Sequence, residues 1–588
     1  MISSLRKLCI CILAALPCLL TAATFNGRIF LDQNRNGRLD PGENGLAGVV
    51  VSDGHSVVLS AADGRYSLDS AEAKPMLWYC RPTDHEPVGD FWRWGDTSQD
   101  NDFGLAHSPQ NRDFTFMQLS DSHLASPDRM QEFVKHLKAL PFSLAFAVNT
   151  GDLVSSSDAG DINRAIAQFD AYQAGIANFP YPLFQVIGNH DHPSISYDKR
   201  DLNHEFYGKG LYRHRFGPIY YTFDWAGVRF YALDGTEQHK GLGYREALGE
   251  EQLAWLEKDL ALLKPGTPII LLCHQPQVGI PGASSGLRDQ EKLKKLLKGH
   301  NLQAAFCGHL HNNHEARIND APIFVTGAFS GAWWGGPNSD GTPQGYRLIS
   351  VKDGVFQRTS YFNREGHNAI ARVAPSAKQY ASGKQTMTVS VLDFGKPVEM
   401  KASIRNHDVA LTPVLSSREP LWSLWTMDFD STTWPDSLYT FEFKTMQDGK
   451  ESKGVTRCLL INGNDDKDFQ AEGEFVLHLS YSRADADAEL LFNDHVIATI
   501  AKGRPCGRNE KDSITLPLDK IRRLNVLTIR PAPGQKGRVG VSHVALRHQR
   551  KDKQAVNITD PRFYGHSSLT VNAEKPEAAG KRYFSVRD

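Results

Sequence analysis

The pattern of hydrophobic and polar positions changes twice along the chain and divides it into three regions. From residue 24 to 111, short apolar stretches such as 49–51 alternate with turn sequences, which is typical of a small β-sandwich. From 112 to 365, apolar strands alternate with amphipathic helices, and this alternation predicts a layered α/β domain. From 366 to 588 the helical periodicity largely disappears, and stretches such as 474–481 predict one or two further β-sandwiches.

The central region contains predicted helices and strands in alternation. The helices span 128–140, 161–176, 250–263 and 287–297. The strands span 114–119, 144–148, 183–187, 220–224, 228–233, 268–273, 304–307 and 323–326. In an α/β fold the loops at the carboxyl ends of the strands gather ligand-binding groups, because the sheet is rigid and the loops are exposed. Polar residues directly after these strands are therefore the candidates for chemistry.

Residues 1–23 form a predicted secretory signal peptide. Arg6 and Lys7 precede an apolar run from 8 to 20, and small residues follow it. A membrane anchor is the alternative, but a spanning helix needs about 20 apolar residues and Pro17 interrupts this shorter run. We expect cleavage after Ala23, no transmembrane helix in the mature chain, and a periplasmic, cell-surface or secreted location.

Composition and charge are those of an ordinary folded protein. The chain of 588 residues is 40% hydrophobic and 23% charged, and it has room for several domains. Its 66 Lys and Arg balance 67 Asp and Glu, so we expect no nucleic-acid partner, and an anionic substrate must be attracted locally. Five of the 8 cysteines lie beyond the signal, too few for a disulfide scaffold, and Cys458 with Cys506 is the pairing to test.

Five polar clusters in the central region each follow a predicted strand. They are Asp121-Ser122-His123, Gly151-Asp152, Gly188-Asn189-His190-Asp191, His274 and Gly308-His309-Leu310-His311. Carboxylates, imidazoles and one amide carbonyl, without a thiolate, are the ligands expected for two borderline divalent cations. Two cations about 3.5 to 4 Å apart are best held by a shared carboxylate, and Asp152 is the simplest candidate for that bridge.

The ordered set D-x-H, G-D, G-N-H-D, a lone H and G-H-x-H resembles the signature of the calcineurin-like metallophosphoesterase family. The resemblance implies a four-layer β-sandwich flanked by helices, and two divalent or trivalent transition metal ions (Mn, Fe or Zn). It implies that one ion is held by Asp121, His123, Asp152 and His311. It implies that the other is held by Asp152, Asn189, His274 and His309. The family pattern often has glycine where Cys273 precedes the lone histidine.

The resemblance also implies that His190 acts as the general acid or contacts the phosphate, positioned by Asp191. Two bound ions lower the pKa of water, so that hydroxide is available near neutral pH for attack on phosphorus. A lone histidine such as His274 is more often a core residue, and it is the ordered set of five clusters that favours a site. Three further histidines, His192, His204 and His214, are expected at the solvated surface, with contact to substrate as the alternative.

Two accessory features carry separate expectations. The segment 32–43 fits a twelve-residue calcium loop, or is an Asn- and Gly-rich turn. Its candidate ligands are Asp32, Asn34, Asn36, Arg38, Asp40 and Glu43. The glycine-rich segment around Trp333 and Trp334 either places rings at the mouth of the site, where they would stack on a sugar or base, or forms a buried plug.

The sequence thus predicts an exported two-metal phosphoesterase that hydrolyses a small-molecule or glycan-linked phosphate ester, with a diester slightly favoured over a monoester. The β regions at both ends resemble those of exported bacterial multidomain members of the family. One alternative is a surface glycan-binding protein with a vestigial metal site. Another is a phosphomonoesterase or protein phosphatase.

Overall fold

The structure is a computed structural model that describes residues 22–586, except 142, 240, 281–282, 341, 365–369, 375–380, 406, 551–552, 561–568 and 575–580. The predicted signal peptide lies outside the described residues up to position 21. Chain contacts separate two compact units. One comprises the described part of Met1–Pro109 with Ala254–Leu263, and the other comprises Gln110–Leu253 with the described part of Lys264–Asp588.

The first unit is built from two four-stranded sheets. Their strands are β1 (Ala23–Leu31), β2 (Val50–Ser52), β3 (Val57–Leu59), β4 (Arg65–Ser70), β5 (Met76–Tyr79), β6 (His85–Pro87), β7 (Trp92–Trp94) and β8 (Phe103–His107). The strand orders are β4-β1-β8-β6 and β3-β2-β5-β7. In β4 buried and exposed residues alternate strictly, because successive side chains of a strand point to opposite faces. Phe25, Leu68 and Tyr79 belong to the resulting core.

The second unit begins with two mixed sheets. The first has the order β11-β10-β9-β20-β21 and contains β9 (Phe114–Leu119), β10 (Ala147–Asn149), β11 (Leu183–Gln185), β20 (Gly345–Lys352) and β21 (Val355–Asn363). The second has the order β12-β13-β16-β17-β19-β18 and contains β12 (Tyr221–Trp225), β13 (Val228–Leu233), β16 (Pro268–Cys273), β17 (Asn301–Cys307), β18 (His314–Ile318) and β19 (Ala321–Val325). A separate hairpin joins β14 (Thr236–Gln238) to β15 (Tyr244–Glu246).

The two mixed sheets pack face to face through aromatic side chains. The Phe116 ring on β9 lies 5.6 Å from Phe230 on β13 and 5.8 Å from Phe306 on β17, both edge to face. The neighbouring residues Met117 and Leu119 point to the opposite face and join the core that includes the helices. This alternation places β9 between two apolar layers.

Among the described residues, four helices lie in the second unit with the mixed sheets: α1 (Asp128–Ala139), α2 (Ile162–Ile176), α3 (Gly210–Phe216) and α5 (Gln290–Leu297). Helix α4 (Glu250–Ala261) is divided between the two units. Phe133 of α1 and Phe169 of α2 pack in the same core as Met117. Asp161 caps α2 by accepting a hydrogen bond from the Arg164 amide. Helices and two facing sheets are therefore present as predicted, while the complete four-layer arrangement stays a prediction.

The remainder of the second unit is all-β and forms two sandwiches. The first pairs the sheets β22-β23-β27-β26 and β25-β24-β28-β29, with strands β22 (Ile370–Ala374), β23 (Lys384–Leu392), β24 (Glu399–Ile404), β25 (His407–Leu411), β26 (Val414–Arg418), β27 (Trp422–Asp430), β28 (Ser437–Gln447) and β29 (Lys450–Leu460). The second pairs β33-β30-β35-β36, with β37 beside β35, and β32-β31-β34-β38. Its strands are β30 (Glu474–Ala484), β31 (Ala488–Phe492), β32 (His495–Ile500), β33 (Lys511–Leu516), β34 (Leu524–Pro531), β35 (Arg538–Gln549), β36 (Val556–Ile558), β37 (Leu569–Asn572) and β38 (Arg582–Ser585).

Two further sequence expectations bear on the fold. Cys458 is a buried free thiol in β29 and Cys506 is an exposed free thiol, so the pairing suggested between them is wrong in this structure. Within the described ranges, no helix combines the length and the apolar character needed to cross a bilayer.

Candidate metal centre

The five predicted clusters lie at the carboxyl ends of five strands of the mixed sheets. Asp121 and His123 follow β9, Asp152 follows β10, the turn Asn189–Asp191 follows β11, His274 follows β16, and His309 and His311 follow β17. Strands β9, β10 and β11 run parallel, as do β13, β16, β17 and β19. Because both parallel sets end at the same edge of the facing sheets, residues 188 positions apart come into contact. The backbone amide of His309, for example, donates to Asp121 Oδ1 at 3.1 Å.

The structure brings six of the seven predicted ligands into two overlapping groups. One group is Asp121, His123, Asp152 and His311, and the other is Asp152, His274 and His309. Within each group one potential ligand atom per residue lies within 4.8 Å of all the others. Asp152 belongs to both groups, which is the arrangement a bridging carboxylate requires.

The shortest distances link each carboxylate to imidazoles. His274 Nε2 lies 3.1 Å from Asp152 Oδ2, and His311 Nε2 lies 3.1 Å from Asp121 Oδ1. His123 Nε2 lies 3.6 Å from Asp152 Oδ2 and 3.0 Å from His311 Nε2. The Nε2 atoms of His123 and His311 therefore face each other beside carboxylates, and a cation bound by all of them would lie between these atoms.

The seventh predicted ligand, Asn189, lies in the short 3₁₀ turn Asn189–Asp191 that rests on Asp152. The next amide along, that of His190, donates to Asp152 Oδ1 at 2.8 Å. Asn189 is buried, and its Oδ1 has no hydrogen-bond partner among the described residues. An unpaired buried amide oxygen is costly, and a cation would satisfy it.

The backbone that presents the ligands is strained. Asp121, His123, Asp152, His309 and His311 all have positive φ, between 44° and 68°. A non-glycine residue in this left-handed region costs energy, and such strain concentrates at functional sites. Five of the seven predicted ligands share a conformation that few residues adopt, which indicates a role beyond packing.

Two glycines of the sequence clusters are required for close approach between loops. A Cβ on Gly188 would lie 2.1 Å from the Asp152 amide nitrogen, and one on Gly308 would lie 1.7 Å from Ser120 Oγ. Both distances are far inside van der Waals contact. Glycine precedes the candidate ligands Asn189 and His309 because the neighbouring loops approach the backbone too closely for a side chain.

The electrostatics of the centre favour positive charge. Burial raises the pKa of Asp121, but the charge and hydrogen bond of His311 lower it to about 2. Burial likewise opposes ionisation of Asp152, yet His274 and His190 hold its pKa well below the ordinary value. Burial lowers the pKa of His123 to about 3, which leaves a neutral imidazole suited to a metal. Two buried carboxylates are thus ionised beside imidazoles.

Backbone carbonyls orient two of the histidines. His274 Nδ1 lies 2.8 Å from the Thr150 carbonyl, and His311 Nδ1 lies 2.8 Å from the Ala332 carbonyl. Each Nδ1 therefore donates to a carbonyl, and Nε2 is the nitrogen that faces the carboxylates of the centre. The unpaired Asn189 Oδ1 and the oxygen and nitrogen donor set of the neighbouring residues fit two transition metal ions.

The candidate general acid, His190, lies beside the centre but is oriented by a residue that the sequence did not suggest. Its Nδ1 lies 2.6 Å from Asp158 Oδ1, and its ring centroid lies 5.1 Å from that of His123. Burial lowers the pKa of His190, but the charge of Asp152 and the hydrogen bond with Asp158 raise it to about 9. The ring therefore holds a proton that it can donate.

The Asp191 carboxylate holds the turn that carries His190, whereas the ring of His190 is held by Asp158, so positioning by Asp191 stays a prediction. The Asp191 carboxylate accepts hydrogen bonds from the amides of Gly188 at 2.8 Å and Val154 at 3.1 Å. It is fully buried and ties the turn after β11 to the loop after β10. Asp158 lies 32 residues before His190, and no local motif signals the contact.

The two tryptophans have different environments. The ring centroid of Trp334 lies 5.2 Å from that of His123 and 5.9 Å from that of His190, edge to face in both cases. Trp333 is 66% exposed and its ring centroid lies 6.2 Å from that of Trp334. Trp333 therefore is not part of a buried plug, and the pair forms an aromatic edge beside the centre.

A second acidic residue missed by the sequence analysis is Glu246 on β15. Its Oε1 lies 3.2 Å from His309 Nε2. That hydrogen bond is the main cause of a lowered pKa of Glu246. The hairpin β14–β15 that carries it was not predicted, because strands of three residues leave almost no periodic signal.

Other predicted positions lie away from the centre or differ from expectation. In the candidate calcium loop Asp32 is buried and accepts from the Gly37 amide, while the amide nitrogens of Asn34 and Asn36 donate to Asp40 Oδ2. Calcium in this loop stays a prediction. His192, expected at the surface, is fully buried with Nδ1 2.8 Å from the Gly188 carbonyl.

Overlapping carboxylate and histidine groups at the ends of parallel strands define a metal-dependent hydrolase centre. Residues 114–313 belong to the calcineurin-like phosphoesterase family, whose model they match, and residues 33–115 match the model described as the N-terminal region of calcineurin-like phosphoesterase. The protein is therefore a metal-dependent phosphoric ester hydrolase.

Three curated relatives are similar over the same part of the chain. A probable cyclic nucleotide phosphodiesterase of Rhodococcus erythropolis is 27% identical, over 42% of this chain and 83% of the relative. A cAMP/cGMP dual specificity phosphodiesterase of Mycobacterium tuberculosis is 25% identical, over 37% of this chain and 67% of the relative. A probable glycerophosphodiester phosphodiesterase of Arcobacter nitrofigilis is 23% identical, over 33% of this chain and 71% of the relative.

Proposed function

We propose that this protein is an exported phosphodiesterase that hydrolyses a small phosphodiester at a two-cation centre. The observation that carries the proposal is the membership of Asp152 in both ligand groups. In this proposal Asp121, His123, Asp152 and His311 hold one cation, and Asp152, Asn189, His274 and His309 hold the other. When bound, such a pair supplies hydroxide near neutral pH and neutralises charge on the phosphoryl oxygens.

The residues around the cations have separate tasks in the proposed reaction. His190 donates a proton to the leaving oxygen, and Asp158 keeps its ring in place through the 2.6 Å contact at Nδ1. With Nδ1 engaged, Nε2 is the nitrogen that delivers the proton. The exposed ring of Trp333 offers a flat apolar surface beside the centre, and the sugar or base of the ester stacks on it.

A diester is the preferred substrate class for two reasons. The relatives named above are described as acting on cyclic nucleotides or glycerophosphodiesters. In addition, Glu246 adds a partly exposed negative charge at the rim, which repels a monoester dianion more than a diester monoanion. A vestigial, purely binding centre is disfavoured, because all seven predicted ligand positions carry metal-binding side chains and five of them have a strained backbone with positive φ.

A substrate screen tests the proposal. The purified protein is loaded separately with manganese, iron or zinc and assayed against cyclic nucleotides, glycerophosphodiesters, phosphomonoesters and nucleotide sugars. We expect kcat/KM for a diester to exceed that for the matched monoester by at least about tenfold, or 1.4 kcal/mol of transition-state binding. Hydrolysis of monoesters alone, or no metal-dependent hydrolysis, would refute the assignment.

Export is a separate part of the proposal and rests on the charged and apolar pattern of residues 1–23. Cell fractionation of the tagged full chain tests it, with an Arg6→Glu, Lys7→Glu variant as the control. We expect the wild type outside the cytoplasm, shortened at its amino end. A full-length cytoplasmic product would contradict export without affecting the enzymatic assignment.

A further inference from the structure

His309 is held differently from the other candidate ligands that have an identified ring partner. Its Nε2 lies 3.2 Å from a side-chain carboxylate, that of Glu246. His274 and His311 are instead held through Nδ1, each against a backbone carbonyl. The nitrogen that is hydrogen-bonded decides which ring nitrogen is left for a cation. In His309 the hydrogen-bonded nitrogen is Nε2, whereas in His274 and His311 it is Nδ1.

The carboxylate is fixed by its own strand. Glu246 pairs with Thr236 across the hairpin, and its backbone carbonyl accepts a hydrogen bond from the Arg288 amide at 2.8 Å. The side chains of Glu246 and His309 are 28% and 17% exposed, so the pair is mostly withdrawn from water. A partly buried, strand-anchored carboxylate can orient a ring, whereas a mobile surface carboxylate cannot.

The hydrogen bond determines the tautomer. An ionised carboxylate has only acceptor positions, so His309 Nε2 must carry the hydrogen. A neutral imidazole protonated at Nε2 has its lone pair on Nδ1. Nδ1 is then the nitrogen that His309 offers to the group it forms with Asp152 and His274.

We infer that Glu246 is the positioning residue for His309: it sets the tautomer and orientation of the ring. It thereby strengthens binding of the second cation, the one that His309 holds together with Asp152, Asn189 and His274. This inference rests on the proposed two-cation function and names a residue that acts on one of the two positions only. Carboxylates that accept from the far nitrogen of a ligating histidine typically contribute about 10- to 100-fold to metal affinity.

Manganese titration of the metal-free full chain, followed calorimetrically, tests the inference. Glu246→Ala should weaken the second manganese by about 10- to 100-fold and leave the first unchanged. Glu246→Gln keeps an acceptor but loses the charge, and it should fall between Glu246→Ala and the wild type. Glu237→Gln, a carboxylate of the same hairpin paired across from Arg245, is the matched control and should bind like the wild type.

A double-mutant cycle separates positioning from direct ligation. If Glu246 acts through His309, the variant Glu246→Ala, His309→Ala should bind the second manganese as weakly as His309→Ala alone. A further loss in the double variant would mean that Glu246 binds the cation itself, and would overturn the inference. The melting temperature of the metal-free Glu246→Ala protein should equal that of the wild type, which excludes a general folding effect.

The outcomes distinguish this inference from the function on which it rests. Two manganese ions in the wild type with unchanged affinities in Glu246→Ala would overturn the positioning role alone. Fewer than two ions in the wild type would refute the proposed function, and the inference with it.

Discussion

Replacing Asp158 tests whether geometry or the local motif assigns the partner of His190. The Nδ1 to Oδ1 distance of 2.6 Å is that of a charge-assisted hydrogen bond, and such bonds contribute about 1.5 to 3 kcal/mol. If that energy is used to hold His190 for proton donation, Asp158→Asn should lower kcat by roughly 10- to 100-fold for a diester with a poor leaving group. His190→Ala should lower it by roughly 10² to 10⁴.

The assay compares two substrates in metal-saturated protein. An alkyl diester needs its leaving oxygen protonated, whereas a p-nitrophenyl diester needs little help, so both variants should lose much less activity on the latter. Metal content should stay at the wild-type value in each. An equal loss on both substrates would refute the proton-donor role, and an unaltered Asp158→Asn enzyme would refute the role of Asp158.

Asp191→Ala supplies the contrast. Its carboxylate accepts from two buried amides, and each unpaired buried donor costs about 1 to 3 kcal/mol. We expect a lower melting temperature and loss of both cations together, because Asp191 ties two ligand loops. A variant that keeps its stability and metals but loses proton donation would support the motif-based role of Asp191.

Three further results are expected. Trp333→Ala should raise KM for a nucleotide diester by roughly 5- to 150-fold with kcat nearly unchanged, because about 1 to 3 kcal/mol of stacking is lost. Trp94→Ala in the first unit is the control and should change neither KM nor kcat. An unchanged KM in Trp333→Ala would remove Trp333 from the substrate site. Gly308→Ala should abolish metal binding, because its Cβ would lie 1.7 Å from Ser120 Oγ, whereas Gly335→Ala, which meets no atom within 4 Å, should be tolerated. Millimolar calcium should raise the melting temperature of the manganese-saturated wild type but not of Asp32→Ala, and equal curves would leave the segment as a turn.

The sequence predicted the parts of the fold that leave long apolar signals. Strands β9, β13 and β16 have the bounds 114–119, 228–233 and 268–273 that the pattern predicts. Each is almost fully buried, so its hydrophobic run is uninterrupted. The strand predicted at 144–148 is displaced in the structure: β10 spans Ala147–Asn149 and includes the polar residue Asn149.

The candidate ligands were predictable because each follows such a strand in a recognisable order. Asp158 and Glu246 were not, because their contacts join residues 32 and 63 positions apart that only the tertiary fold brings together. The exposure of Trp333 was equally hidden, since a glycine-rich loop has no periodicity to show which ring is buried. The residues that the sequence does not reveal are those that hold the rings of a candidate ligand, His309, and of the candidate proton donor, His190.

Metal stoichiometry in Asp152→Asn tests the central claim most directly. Asp152 is the residue common to both ligand groups, and a neutral amide cannot hold two cations against their mutual repulsion. Elemental analysis should find two transition metal ions per wild-type chain and clearly fewer than two in Asp152→Asn, with turnover abolished. An Asp152→Asn protein that retains two metals and full activity would contradict the account.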